Sequence, residues 1–537
     1  MTKSLTFTNP ILPGFYPDPS VVRVGDEFYM INSSFQFFPG LPIHKSTNLV
    51  DWELVDIELV SGHAICRPSQ IDLNQATTKI NRAEFGEFFT AGLYAPTIRF
   101  HAGRFYIVCT NLKGRSSMDS TEDFGPENFI ITCDNLSDPN SFSDPIYFDF
   151  HGIDPSLLFD EDGKVYMQGS WIYGYRKKPA TVIRQAEIDL NTGKYLSELR
   201  DIWTGSGDKV PEGPHLYKRN GAYWLLIAEG GTHRGHKITM ARSDNVWGPY
   251  ESYKKNPILT TQGSYHAIQC VGHGDLFMDK EGEWWCCLLG RREINGAYPL
   301  GRETYLVPAT WSETAFPCLE PVELQQVVSF EHRQLPAGLL VSNSPPLPKT
   351  VRLDSPYTVY LRTPDLQAFS HDLVSHRIEL LAKPMALGCA EGSPVFFGQR
   401  QVSLKSEASV TLHLDSLPAD GHCGLSLYKD TFRHVSLDVN SKKEISLATA
   451  HKTHEFGFVN ARTIAVASSV KLIVRSTIDS YVFSYELFLE GAWNGELELG
   501  SISAADMSGD DFTGTVYGLY ASGKEGKATF EQFLLVQ

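Results

Sequence analysis

Three carboxylates stand at one place in a repeated pattern of this 537-residue chain: Asp18, Asp154 and Glu212. Each opens an apolar segment that ends in a tight turn, at Gly25, Gly163 and Gly221. Two further segments open in the same way at Tyr94 and His273, with turns at Gly103 and Gly282. From the opening residue to the aromatic that starts the following strand is 11 residues in four of the five and 12 at Asp154. Equal offsets place all five at the starts of equivalent strands, and equivalent strands of a closed repeat share one cavity. Acidic groups gathered there without a local excess of Lys or Arg push one another's pKa values apart, so that one stays ionised while another holds its proton. That pairing is what hydrolysis of a glycosidic bond needs. Taken alone, an Asp or Glu beside Pro more often caps a turn; three at one repeat position favour chemistry. Tyr94 alone would read as core packing, and His273, between Gly272 and Gly274, suits a structural hydrogen bond as well as a ligand.

The elements that must position these residues are hairpins. Successive turn glycines lie 78, 60, 58 and 61 residues apart, a near-constant period that marks a β-propeller with one long first repeat. The paired runs are 20–24 with 27–31, 98–100 with 104–108, 156–159 with 164–168, 215–218 with 222–227, and 275–278 with 283–289. Asp-Gly and Asn-Gly at these turns supply the positive φ that two-residue connections require. Five hairpins imply five blades. The extra length of the first period falls on the polar stretch 69–92, which reads as an insertion decorating one face. The spacing predicts a propeller over 1–324, a linker over 325–349 that carries Pro336, Pro345, Pro346 and Pro348, and a β-sandwich over 350–537 built from short alternating runs.

Composition excludes several partners. With 47 basic against 63 acidic residues the chain carries −16, which repels phosphate backbones and anionic lipid, so neither nucleic acid nor a membrane is expected. Its 31 Phe, 23 Tyr and 9 Trp suit β-structure and stacking on sugars alike. The 9 cysteines have no recurrent spacing and read as reduced core residues. The first residues hold no apolar signal segment before Pro10, and the chain reads as cytoplasmic. Other motifs read as scaffold. His233-Arg-Gly-His236 lacks the helix of a zinc pair, Glu229-Gly-Gly-Thr232 lacks the helix and Lys of a phosphate loop, and Ser264-Tyr-His266 lacks a nucleophile elbow.

Four motifs, Phe15-Tyr-Pro-Asp18-Pro-Ser, Gly152-Ile-Asp154-Pro-Ser, Pro211-Glu212-Gly-Pro-His215 and Gly301-Arg302-Glu-Thr, resemble the signatures of glycoside hydrolase family 43. Nearly the whole chain is similar to its β-xylosidase branch, which joins a five-bladed propeller to a lectin-like, jelly-roll sandwich. The resemblance implies an inverting hydrolase with Asp18 as general base, Glu212 as general acid and Asp154 orienting and tuning Glu212. It further implies that Arg302 binds hydroxyls of the terminal sugar, that Phe35 lines the pocket and that Phe512 reaches its mouth from the sandwich. His273 falls where some members hold calcium; no cofactor is implied for the chemistry. Tyr94 stands where the xylosidases usually have Trp, which opens the choice between xylose and arabinose. The implied activity is exo-hydrolysis releasing xylose from β-1,4-xylo-oligosaccharides, with α-L-arabinofuranosidase as the alternative and a non-catalytic glycan-binding protein behind both. The expected partner is an oligosaccharide, with room left for a homo-oligomer.

Overall fold

The computed structural model describes residues 3–55, 62–81, 87–113, 125–174, 177–330, 349–451 and 454–537, and they are almost wholly β. Five antiparallel sheets carry the five expected hairpins. Their innermost strands are Ser20–Val24, Gly92–His101, Gly152–Phe159, Glu212–Arg219 and Ile268–Met278, here blades I to V. These strands neighbour one another in order around one axis, and blade V returns to blade I. The ring is tied shut at the N-terminus. Asn9 gives its amide to the carbonyl of Leu306 at 3.0 Å and takes the Leu306 N–H at 3.0 Å, while Leu12 bridges to Thr304 in blade V.

Three hairpins turn in two residues, with Val24 facing Glu27, His101 facing Arg104 and Arg219 facing Ala222. Blades III and V do not. Their strands meet as Phe159 opposite Val165 and Met278 opposite Trp284, because Asp160 and Asp279 each fold a wider turn around their own carboxylates. Asp160 takes the N–H of Glu161 at 2.6 Å, and Asp279 takes those of Glu281 and Glu283 at 3.0 and 2.8 Å. Side-chain acceptors of this kind mimic a backbone turn and compete with the tight one.

The second unit stacks two sheets. One runs through Arg377–Leu381, Lys527–Val536, Ser406–His413, Ser469–Ser476 and Ser480–Leu489. The other runs from His454–Thr463 through Glu444–His451, Arg433–Asn440, His422–Asp430, Val516–Ser522 and Val395–Arg400 to Val359–Leu361. This second sheet does not end within the sandwich. Its last strand is Phe37–Phe38, donated by blade I, with Tyr360 opposite Phe38 and Leu361 opposite Phe37. One apolar core accordingly runs unbroken from Phe397 and Leu425 of the sandwich to Ile31, Leu41 and Leu93 of the propeller.

Two expectations are corrected here. The described part of the stretch 69–92 is less a decoration than a seal: Ile71, Leu73 and Ala76 are buried, Leu73 donates its N–H to Thr363 Oγ1 at 2.8 Å, and Gly392 donates its N–H to the carbonyl of Asn74 at 3.0 Å. The linker begins later than composition suggests. Residues Gln325–Phe330 form a strand that pairs with Lys3–Thr8, with exposed and buried residues alternating over 325–328, and the proline-bearing part over 331–348 lies outside the described residues. All nine cysteines are free thiols, with Cys286 and Cys287 buried in blade V.

Candidate active site

Each innermost strand carries a left-handed kink within it or just before it. The residue with positive φ is Asp18 (54°), Ala95 (38°), Asp154 (56°), Gly213 (55°) and His273 (45°) in blades I to V. In blades II to V the ladder skips residues at that point. Such bulges re-aim side chains and concentrate strain at functional positions. Asp, whose short side chain bonds locally, tolerates this conformation better than most residues. The kinks also refine the expected equivalence: Asp18, Asp154 and His273 occupy the kink itself, whereas Tyr94 and Glu212 precede it by one residue. The unequal turn lengths of the hairpins mask this one-residue difference in the sequence.

The kinked ends converge. Asp154 Oδ2 takes the Gly213 N–H at 2.9 Å, which ties blade III to the residue after Glu212. Ser33 donates its hydroxyl to Asp18 Oδ2 at 2.5 Å, and the same oxygen of Ser33 takes the Ala95 N–H at 2.7 Å. His273 Nδ1 lies 3.8 Å from Asp18 Oδ1 and 4.0 Å from Asp154 Oδ2. A Cβ at residue 213 would stand 2.8 Å from the same nitrogen, so the imidazole approaches only because Gly213 has no side chain.

Burial and crowding of like charges set the protonation states. Burial foremost pushes the Asp154 carboxyl up to about 7, with His273 opposing and the charges of Glu212 and Asp18 adding to the rise. Burial likewise lifts Glu212 to about 7, where Arg302 opposes and Asp18 reinforces. Both carboxyls are thereby raised from the usual carboxylate range toward neutrality. Arg302 is buried; it donates to the carbonyl of Thr232 at 3.1 Å, and its guanidinium carbon sits 4.3 Å over the ring of Phe512.

Phe512 comes from the sandwich. Its ring stacks on Phe35 at 5.7 Å and meets Tyr94 edge-on at 5.9 Å and Phe89 at 5.4 Å, an aromatic wall beside the carboxylates. Tyr94 directs its hydroxyl to the carbonyl of Thr90 within its own segment. These contacts and close approaches bring all eight residues singled out in the sequence into one cluster. Three that were not are Ser33, Thr232 and His236. His236 is 1 % exposed, and its Nε2 lies 3.8 Å from Glu212 Oε1. The signal was present in the His-x-x-His motif, but a zinc criterion was the wrong test for it.

Deeper along the axis, Asp275 takes Arg99 at 2.9 Å, Ser20 at 2.8 Å and Tyr217 at 2.7 Å, and Arg99 donates to His215 Nδ1 at 2.9 Å. Burial alone would raise Asp275, yet Arg99 brings it down to about 2. Among the described residues, side chains do not assemble a calcium site around His273. Calcium takes six to eight oxygens, whereas Asp275 is saturated, a guanidinium stands beside His215, and no cluster of metal-ligating side chains occurs among the described residues. A cavity of about 870 Å³ lies at the far mouth, lined by Phe100, Phe159, Tyr217 and Trp284, and contains none of the three carboxylates.

The sequence model described as glycosyl hydrolases family 43 matches residues 7–317, more than half of the chain. This chain belongs to glycosyl hydrolases family 43. A second model, described as the beta xylosidase C-terminal concanavalin A-like domain, matches residues 356–535. This family 43 glycosidase is 32% identical to a non-reducing end alpha-L-arabinofuranosidase of Bacteroides ovatus, over 96% of the chain and 92% of the relative. It is 28% identical to a beta-xylosidase of Bacillus subtilis over 98% and 99% of the two chains. The crystal structure of a xylan beta-1,4-xylosidase from Bacillus halodurans superposes with a TM-score of 0.84 at 28% identity, covering 99% of this chain and all of that one.

Proposed function

We propose that this family 43 glycosidase removes single xylose units from the non-reducing ends of β-1,4-xylo-oligosaccharides with inversion at the anomeric carbon. One observation carries the reading: an acid lifted to about 7 by burial, Glu212, shares a hollow with Asp18, whose carboxylate is steered by the Ser33 hydroxyl. Asp18 takes a proton from water as the water oxygen attacks the anomeric carbon. Glu212 gives its proton to the glycosidic oxygen as that bond breaks, and the released sugar carries the opposite anomeric configuration. Asp154 holds the Gly213 N–H and so fixes the backbone of the acid, while the charge of Asp18 opposes ionisation of Glu212. Arg302, with forked donors and a base of Phe512, suits the vicinal hydroxyls of a terminal sugar. The wall of Phe35, Tyr94 and Phe512 favours a closed end over an open cleft, which is the geometry of exo attack.

The similarity to the Bacteroides arabinofuranosidase supports a second reading, α-L-arabinofuranose as the released sugar. Matched nitrophenyl β-xyloside and α-L-arabinofuranoside separate the two, with the higher kcat/KM expected on the xyloside. Proton NMR of early product from xylotriose is expected to show the α anomer of xylose first. Early β-xylose would overturn inversion, and a preference for the arabinofuranoside would overturn the substrate.

A further inference from the structure

The loop over 230–236 in blade IV touches the hollow three times. The Thr232 carbonyl takes Arg302, His233 stacks on Phe512 at 6.5 Å, and His236 faces Glu212. His236 is the informative member, because its tautomer is fixed. Nδ1 sits 3.0 Å from the carbonyl oxygen of Cys270, an atom that can only accept, so Nδ1 carries the hydrogen and Nε2 presents a lone pair. Burial, with Arg302 adding to the effect, lowers the imidazole to about 3, so it stays neutral across the working range. The ring lies flat against the main chain at Gly272, where a Cβ would fall 2.4 Å from it. Nε2 has no hydrogen-bond partner and is buried, and the nearest carboxyl oxygen is Glu212 Oε1 at 3.8 Å.

A bare imidazole nitrogen facing a carboxyl is useful only when that carboxyl carries a proton. A closure of about 1 Å makes an O–H···N hydrogen bond. We infer that His236 is a positioning residue: its Nε2 accepts the acidic hydrogen of Glu212 in the resting enzyme, keeping the acid protonated and turned toward the scissile oxygen until substrate displaces it. This rests on Glu212 being the general acid. The other charged or titratable groups facing the pair are Asp18 from blade I, Asp154 from blade III, Arg302 and His273 from blade V, and His233 from the same loop.

Two amides dissect the imidazole. Asn at 236 ends where Nδ1 is and keeps the tie to Cys270 but loses the acceptor; Gln reaches where Nε2 is and can accept. In the full chain, His236→Asn is expected to lower kcat/KM on xylobiose about 10- to 100-fold. It should lower kcat/KM less than about threefold on a dinitrophenyl xyloside, whose leaving group needs no proton. The alkaline limb of kcat/KM, which reports the free enzyme, should move to lower pH, because a bond to the neutral acid is lost. His236→Gln should recover most of both effects. Equal losses on the two substrates with an unmoved limb would reduce His236 to scaffold, as would unaltered activity in a folded His236→Asn. Glu212→Gln run in parallel keeps the readings apart. If it lacks the same dependence on leaving group, the acid assignment fails; if it shows the dependence and His236→Asn does not, only the role of His236 fails. Should His236→Asn not fold, a His236→Gln enzyme with the wild-type pH limb supports the inference, and one with a displaced limb and no dependence on leaving group overturns it.

Discussion

Keeping an acid protonated near pH 7 is work done against its own solvation, and the folded protein bears the cost whenever that acid ionises. Glu212 has an ordinary value of 4.5 and is lifted to about 7 by burial. A carboxyl raised on folding binds its proton more tightly in the native state, so its contribution is complete below 4.5 and is lost as pH climbs through about 7. An amide never ionises and escapes the loss. Glu212→Gln is therefore expected to melt at the wild-type temperature in acid and several degrees above it in mild alkali, the gap opening between about pH 5 and pH 7. Its kcat on xylo-oligosaccharides should drop about 10²- to 10⁴-fold. Thermal scans across that range check the first and initial rates the second; a gap that narrows as pH rises would reverse the sign argued here. The identities of the three acids were legible because their motifs are contiguous. His236 was not, since its anchor is the main-chain carbonyl of Cys270, far along the chain and invisible to spacing.

What delivers these side chains is the kink within or just before each innermost strand. The hairpins themselves could be read from a turn glycine between two apolar runs, and the first hairpin of blade I was delimited to the residue. The turn widths were not readable, because Asp160 and Asp279 recruit main-chain N–H groups that composition does not announce. Nor were the kinks, which arise where five strand ends crowd one axis. Gly213 shows how tightly the element constrains the site. Its φ is 55°, and a Cβ would sit 2.8 Å from His273 Nδ1 and 2.9 Å from Cε1. Gly213→Ala must tilt the imidazole or shift the strand, and either moves the N–H that Asp154 holds and the adjoining Glu212. A misplacement of this order costs about 100-fold in kcat. Strain of about 1–2 kcal/mol lowers the melting temperature by only a few degrees. Retained kcat in Gly213→Ala would show that the approach of His273 is incidental.

At the scale of the whole chain, the sandwich and the propeller do not separate into a catalyst and an appendage. The sandwich sheet is completed by Phe37–Phe38 of blade I, and Arg362 reaches back to the carbonyl of Ala76 at 3.3 Å. No local pattern could have revealed this, because the partners are hundreds of residues apart. The loop bearing Phe512 is fixed from within the sandwich by a buried ionic group. Asp511 takes Lys429 at 3.2 Å and also Arg433, which in turn clasps Asp430, and Lys429 donates to the carbonyl of Met507 at 2.9 Å. Removing one member of such a group costs about 3–5 kcal/mol, so the loop is held rigidly while its aromatic ring projects over Arg302 and Phe35. Two changes distinguish bracing from participation. A chain ending before residue 349 loses the partner of Phe37–Phe38 and exposes Ile31, Leu41 and Leu93, so it is expected in the insoluble fraction. Phe512→Ala leaves the ionic group intact, so its melting temperature should stay within a few degrees of wild type. Its KM for xylobiose should rise about 10-fold, with a smaller change in kcat, because the ring contributes binding at the sugar rather than proton transfer. A Phe512→Ala enzyme with wild-type KM would confine the sandwich to support, and a soluble, fully active truncated propeller would remove even that role.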